Sequence, residues 1–137
     1  MKKVFLDTNV FIDILSKRST SILTKDELSY LIDNYQIYIS ALTVHITYYV
    51  GKIKPGSDKH ESMKKLLKLT NIIPLSEDII SLSINNFHSD FEDTLQYYSA
   101  LDSNCDYILT RDKKDFTKIK KRIPSKIQII SSLRNIK

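Results

Sequence analysis

The sequence predicts an α/β fold of three layers, with helices on both faces of a parallel sheet. Two observations carry this. Short apolar runs alternate along the chain with segments whose apolar residues recur at helical spacing. The first run, Val4, Phe5 and Leu6, is continuous rather than alternating, which is the pattern of a strand covered on both faces. It stops at Asp7-Thr8-Asn9, so a carboxylate falls at the carboxyl end of a central strand, where open α/β sheets place their ligands.

The elements follow in order. Phe11, Ile12, Ile14 and Leu15 return at helical spacing after the first strand. Thr24-Lys25-Asp26-Glu27 has the form of a capping box, in which hydroxyl and carboxylate each satisfy the other residue's backbone N–H. Leu28, Leu31, Ile32 and Tyr35 then mark one face of an amphipathic helix, and Gln36–Ser40 reads as a second strand. A third helix is expected over residues 43–50, closed by Gly51 in a left-handed conformation. Lys54-Pro55-Gly56-Ser57 is a loop. Residues 58–69 read as a helix with Met63, Leu66, Leu67 and Leu69 inward and Lys59, Lys64, Lys65 and Lys68 outward. Residues 71–75 form a third strand with Pro74 near its end. Ser76 caps a helix with Ile80, Ile84 and Phe87 on one side, and Ser89 or Asp90 opens another through Leu95, Tyr98 and Leu101. Residues 106–110 and 126–130 are the fourth and fifth strands.

A chain of 137 residues with ordinary apolar and charged content suits one domain, 1–137, with a sizeable core. The apolar run at residues 4–6 is too short for a secretory signal and no run reaches membrane length, so the expected location is cytoplasmic with no membrane. Charge is uneven. Residues 111–137 hold ten Lys or Arg against Asp112 and Asp115, a net of +8, and the chain's total of +5 leaves −3 for residues 1–110. An acidic body beside a basic carboxyl end suits a polyanion ligand, although a lysine-rich solvated surface gives the same count.

Three places collect acids at strand ends or helix starts: Asp7-Thr8-Asn9, Asp90-Phe91-Glu92-Asp93, and Thr110 to Phe116 with Asp112 and Asp115. Each has an ordinary use, as helix caps, as first-turn charges, or as a turn after a strand. If strands one and four are neighbours, the first and third places lie side by side. Clustered carboxylates repel, and a hard divalent ion with oxygen ligands relieves that repulsion. Other schemes fit less well. Gly51 and Gly56 are the only glycines, so there is no phosphate loop. His45, His60 and His88 lack zinc spacing, and Cys105 has no nearby His, so it reads as a buried thiol. An aspartyl-phosphate enzyme wants an Asp where Asn9 stands.

Together, Asp7-Thr8-Asn9, Ser40-Ala41-Leu42-Thr43, Asp90-Phe91-Glu92-Asp93 and Thr110-Arg111-Asp112-Lys113-Lys114-Asp115-Phe116 resemble PIN-domain proteins, and within them toxin ribonucleases of the VapC type. The resemblance spans nearly the whole chain and implies a five-stranded parallel sheet in the order 3-2-1-4-5. It implies an endoribonuclease dependent on Mg²⁺ or Mn²⁺, leaving a 3′-hydroxyl and a 5′-phosphate, paired with a small antitoxin and forming a homodimer. Carried over by position, Asp7, Asp93 and Asp112 are catalytic metal ligands and Asp115 a further metal candidate, with Asn9 and Thr110 in support. Arg111, Lys113, Lys114, Lys120 and Lys121 are the expected RNA contacts. One position departs from the pattern: the usual Glu after His45 is Ile46, which offers a metal nothing. The alternative reading is therefore a degenerate PIN domain that binds RNA or a protein without cutting.

Overall fold

Strand β1 (Lys3–Leu6) lies at the centre of a five-stranded parallel sheet, flanked by β2 (Gln36–Ser40) and β4 (Tyr107–Leu109), with β3 (Asn71–Ile73) and β5 (Gln128–Ile130) at the edges. This is the expected order 3-2-1-4-5. The computed structural model describes residues 1–17 and 21–136; Lys137, counted in the basic end, lies outside them. Helices α1 (Thr8–Ser16) and α2 (Lys25–Asn34) join β1 to β2, and α3 (Ala41–Gly51) and α4 (Asp58–Lys68) join β2 to β3. Helices α5 (Glu77–Asn86) and α6 (Phe91–Asp102) lead to β4, α7 (Lys113–Arg122) leads to β5, and a 3-10 turn covers Leu133–Asn135.

Alternation along the strands divides the core in two. Phe5, Ile108 and Ile129 pack with Ile79, Leu95, Tyr98, Phe116 and Ile119 of α5, α6 and α7 on one face. Val4, Leu6, Ile37, Ile39 and Leu109 pack with Val10, Phe11, Leu31 and Met63 of α1, α2 and α4 on the other. Both faces of β1 are covered, which is why its run is continuously apolar. Full burial of Phe5 and Leu6 contributes about 1.5–3 kcal/mol each.

The capping box at Thr24 and Glu27 forms as expected, and Ser40, Ser57, Ser76 and Asp90 each cap the helix that follows. Several expectations are corrected. Gly51 is the last helical residue of α3, and Lys52 takes the left-handed conformation at φ 47°. Helix α3 begins at Ala41 because the Ser40 hydroxyl accepts from the Leu42 N–H. Leu69 is exposed, since α4 ends at Lys68 and turns it outward. On α5 the buried positions are Ile79 and Ser83, one residue out of phase with the expected stripe, and Ile84 and Phe87 face solvent. The basic stretch after β4 is a helix whose Phe116 and Ile119 face the core at i and i+3.

Candidate active site

The sheet order brings Asp7, at the end of β1, beside Thr110, at the end of β4. The Asp7 N–H extends the ladder by donating to the Leu109 carbonyl at 3.0 Å. Its carboxylate is held on both oxygens: Oδ1 accepts from the Thr8 N–H and Oδ2 from the Thr110 hydroxyl, each at 2.8 Å. The same Thr110 hydroxyl accepts from the Asp112 N–H at 2.9 Å. Asp112 opens α7 without capping it, because its Oδ2 accepts from Asn9 Nδ2 at 3.0 Å. Asp93 comes from the first turn of α6, set there by the Asp90 carboxylate, which accepts from the Asp93 N–H at 3.0 Å.

Asp7, Asn9, Asp93 and Asp112 line one cleft of about 280 Å³ with Thr8, Ile12, Asp90, Glu92 and Asp115. All the expected acids are therefore gathered at the carboxyl edge of the sheet. Glu92 and Ile12 also line the cleft; Glu92 was visible in the acidic run, whereas Ile12 carried no signal beyond its helical spacing. Gln96, one turn beyond Asp93, is fully buried and was not singled out by the sequence. Its Nε2 donates to the hydroxyls of Thr8 and Thr43 at 2.6 and 3.0 Å, and those hydroxyls lie 2.8 Å apart. This knot ties α6 to α1 and α3 and fixes the rotation that turns Asp93 toward Asp7.

The acids crowd. Burial pushes the Asp7 carboxyl up to about 6 against the pull of its two hydrogen bonds, with the Asp112 and Glu92 charges adding to the rise. Burial, then the charges of Asp7, Asp90, Glu92 and Asp112, pushes Asp93 up to about 8. Glu92 is raised by burial and by Asp90. Both shifts run upward because burial and neighbouring acids disfavour the charged forms, so the cleft is short of positive charge. Every donor is an oxygen, and Asn9 Oδ1 is buried with no protein partner, so the set fits a hard cation. Among the described residues no three Asp, Glu, His or Cys side chains form a ready cage.

The expected RNA contacts separate. The Arg111 guanidinium lies 3.3 Å from the Asp13 carboxylate, which is 1% exposed, and so braces the β4–α7 corner against α1. Lys113, Lys114 and Lys120 are not among the residues lining the cleft or the groove beside it. Lys121 lines that second groove, which has a volume of about 520 Å³ and shares Asp90, Asp93 and Asp115 with the cleft. Ile46 is half-buried on α3, and none of the described residues lining the cleft comes from α3.

Ribonuclease VapC1 of Aquifex aeolicus (strain VF5) is 28% identical over 124 residues, covering 85% of each chain. The fold superposes on a crystal structure of VapBC2 from Rickettsia felis bound to a promoter DNA fragment, with a TM-score of 0.65, 21% identity and coverage of 93% of this chain and 97% of that one. It also superposes on FitAcB from Neisseria gonorrhoeae, with a TM-score of 0.66, 19% identity and coverage of 93% and 96%. A PIN domain family model matches residues 3–114, from the first residue of β1 to the start of α7; it spans the first two acidic places and the third as far as Lys114, short of Asp115. On that match, the chain belongs to the PIN-domain family.

Proposed function

We propose that the cleft binds Mg²⁺ or Mn²⁺ and that the protein is a metal-dependent endoribonuclease, the toxin of a cytoplasmic toxin–antitoxin pair. The observation that carries this is the convergence of Asp7, Asp93 and Asp112 in one cleft with the first two carboxyls pushed upward. Asp7, Asp93 and Asp112 would hold the ion, with Asp115 at the rim. A divalent ion so held supplies an activated water and charge stabilisation for phosphodiester hydrolysis. Thr8 and Thr110 fix both oxygens of Asp7, and Asn9 orients Asp112. Thr110 couples the two strand ends, so Asp7 and Asp112 keep one relative geometry. The likeness to VapC1 and to antitoxin-bound structures supports a small antitoxin partner and, with the family pattern, a homodimer.

Cleavage of an RNA oligonucleotide titrated with Mn²⁺ or Mg²⁺ tests the reading, and EDTA should abolish it. Ile46 favours a second reading, in which the domain binds RNA or a protein without cutting. That reading predicts binding with no cleavage at any metal concentration.

A further inference from the structure

We propose that the groove between the start of α6 and the exposed face of α7 is a phosphate-binding subsite that seats the RNA strand beside the acid cleft. Lys118, Lys121 and Arg122 form its cationic wall. The proposal rests on the ribonuclease reading and adds where the substrate runs. The groove is larger than the cleft and continuous with it through Asp90, Asp93 and Asp115. Its charge is polarised, with acids at the shared end and cations along α7.

The placement of the cations is selective. Lys118, Lys121 and Arg122 stand at i, i+3 and i+4, one face of the helix. Favourable interaction with the helix dipole accounts for basic residues in the last turn in general, Lys120 included. It does not account for Lys118, which lies before that turn, or for a single cationic face turned toward the acids. Arg122 is also fixed in place: its Nη2 donates to the Asn86 carbonyl at 2.5 Å, tying the end of α7 to the end of α5. His88 and Ser89, in the linker that follows Asn86, line the groove beside it. Ile119, nearly buried, gives the floor an apolar strip. A polyanion with regularly spaced charges matches this layout: one phosphate lies over the acid cleft, where a cation is needed, and its neighbours lie against the α7 face. Contacts to phosphate oxygens fix strand position without reading base sequence.

The test compares wild type with Lys118→Gln/Lys121→Gln and with Lys65→Gln/Lys68→Gln, a pair removing the same charge from exposed positions on α4 across the sheet. Affinity for a single-stranded RNA oligonucleotide is measured against salt in EDTA, and cleavage is measured separately in Mn²⁺. The groove pair should reduce the log–log salt slope by about 1.4, the value for two lost phosphate contacts on a single strand. The α4 pair should leave the slope unchanged. Equal effects from the two pairs, no effect from the groove pair, or no RNA binding by wild type would each overturn the subsite. If wild type binds with the groove-dependent slope but never cleaves, the subsite stands and the nuclease reading falls.

Discussion

The Asp7 carboxylate and the Thr110 hydroxyl, 103 residues apart in sequence, meet at 2.8 Å across the ends of the two central strands. Both are almost fully buried. The hydroxyl also accepts from the Asp112 N–H, so one oxygen atom fixes two of the acids. Thr110→Val keeps the shape and strands both partners. Leaving a buried acceptor unsatisfied costs about 1–3 kcal/mol. Denaturant unfolding should show a loss of that order, with Thr110→Ser restoring most of it. Because the hydrogen bond lowers the Asp7 pKa, the valine variant should also raise it further, measurable by carboxyl NMR titration. An unchanged midpoint and titration would remove Thr110 from this role.

Asp7→Asn and Asp93→Asn should each lower divalent-ion-dependent cleavage by more than the ~10–100-fold typical of outer-shell partners of a metal site. Their stability should be equal to wild type or higher, because a charge leaves a crowded cluster. The pH dependence carries a definite sign. Folding raises both carboxyls from 3.8, to about 6 and about 8, so the metal-free native state binds more protons than the unfolded chain across that interval. Stability contributed by the protonated acids is present at the acid end and is lost as pH rises toward 8. Asp93→Asn should flatten that decline in thermal melts without metal. A variant that cleaves at the wild-type rate removes its residue from the mechanism.

The sheet was legible because its signals are local. Continuous apolar runs, turn residues and helix caps each act within a few residues, and the strands appear where those signals place them. The acids were legible as three separate runs, and it is the strand order that makes them one site. Less legible were features set by tertiary packing. The helical phase of α5 was misread because Ile79 and Ile80 both suit a core stripe and only the neighbouring helix selects between them. Gln96 gave no signal, since a lone Gln on a helix becomes informative only when Thr8 and Thr43 are seen around it. The basic residues of α7 read as a single patch in sequence, although the helix sends them to different faces.

Arg111 illustrates that last point. As an RNA contact, its loss would chiefly flatten the salt dependence of binding. Paired with Asp13, its loss should chiefly lower stability. The expected cost for Arg111→Gln is below the ~3–5 kcal/mol of a fully buried broken pair, because the guanidinium is about one-third exposed. Melting temperature and salt slope measured on the same variant decide between the two roles. A lower slope with an unchanged melting temperature would return Arg111 to the RNA surface.

Ile46 carries the last prediction. It lies three residues beyond Thr43, whose hydroxyl touches that of Thr8 beside the cleft, so it occupies the next position along that side of α3. It is half-buried and belongs to neither described core cluster, which is not the environment of an isoleucine selected for packing. A carboxylate long enough to reach the cleft from there would join Asp7, Asp93 and Asp112 as a fourth candidate ligand, although no described α3 residue now lines it. Without metal, Ile46→Glu should destabilise, because a charge enters a partly buried place among like charges. With Mn²⁺ the loss should be recovered through binding linkage, worth about 2.7 kcal/mol at a hundredfold excess over Kd. Metal affinity, read by calorimetry, should rise alongside. His45 is about 100° away around the helix and is exposed, so His45→Glu should reproduce none of this. A destabilised Ile46→Glu that Mn²⁺ fails to rescue would mean that position 46 faces away from the cleft, and that any ion bound there depends on Asp7, Asp93 and Asp112 alone.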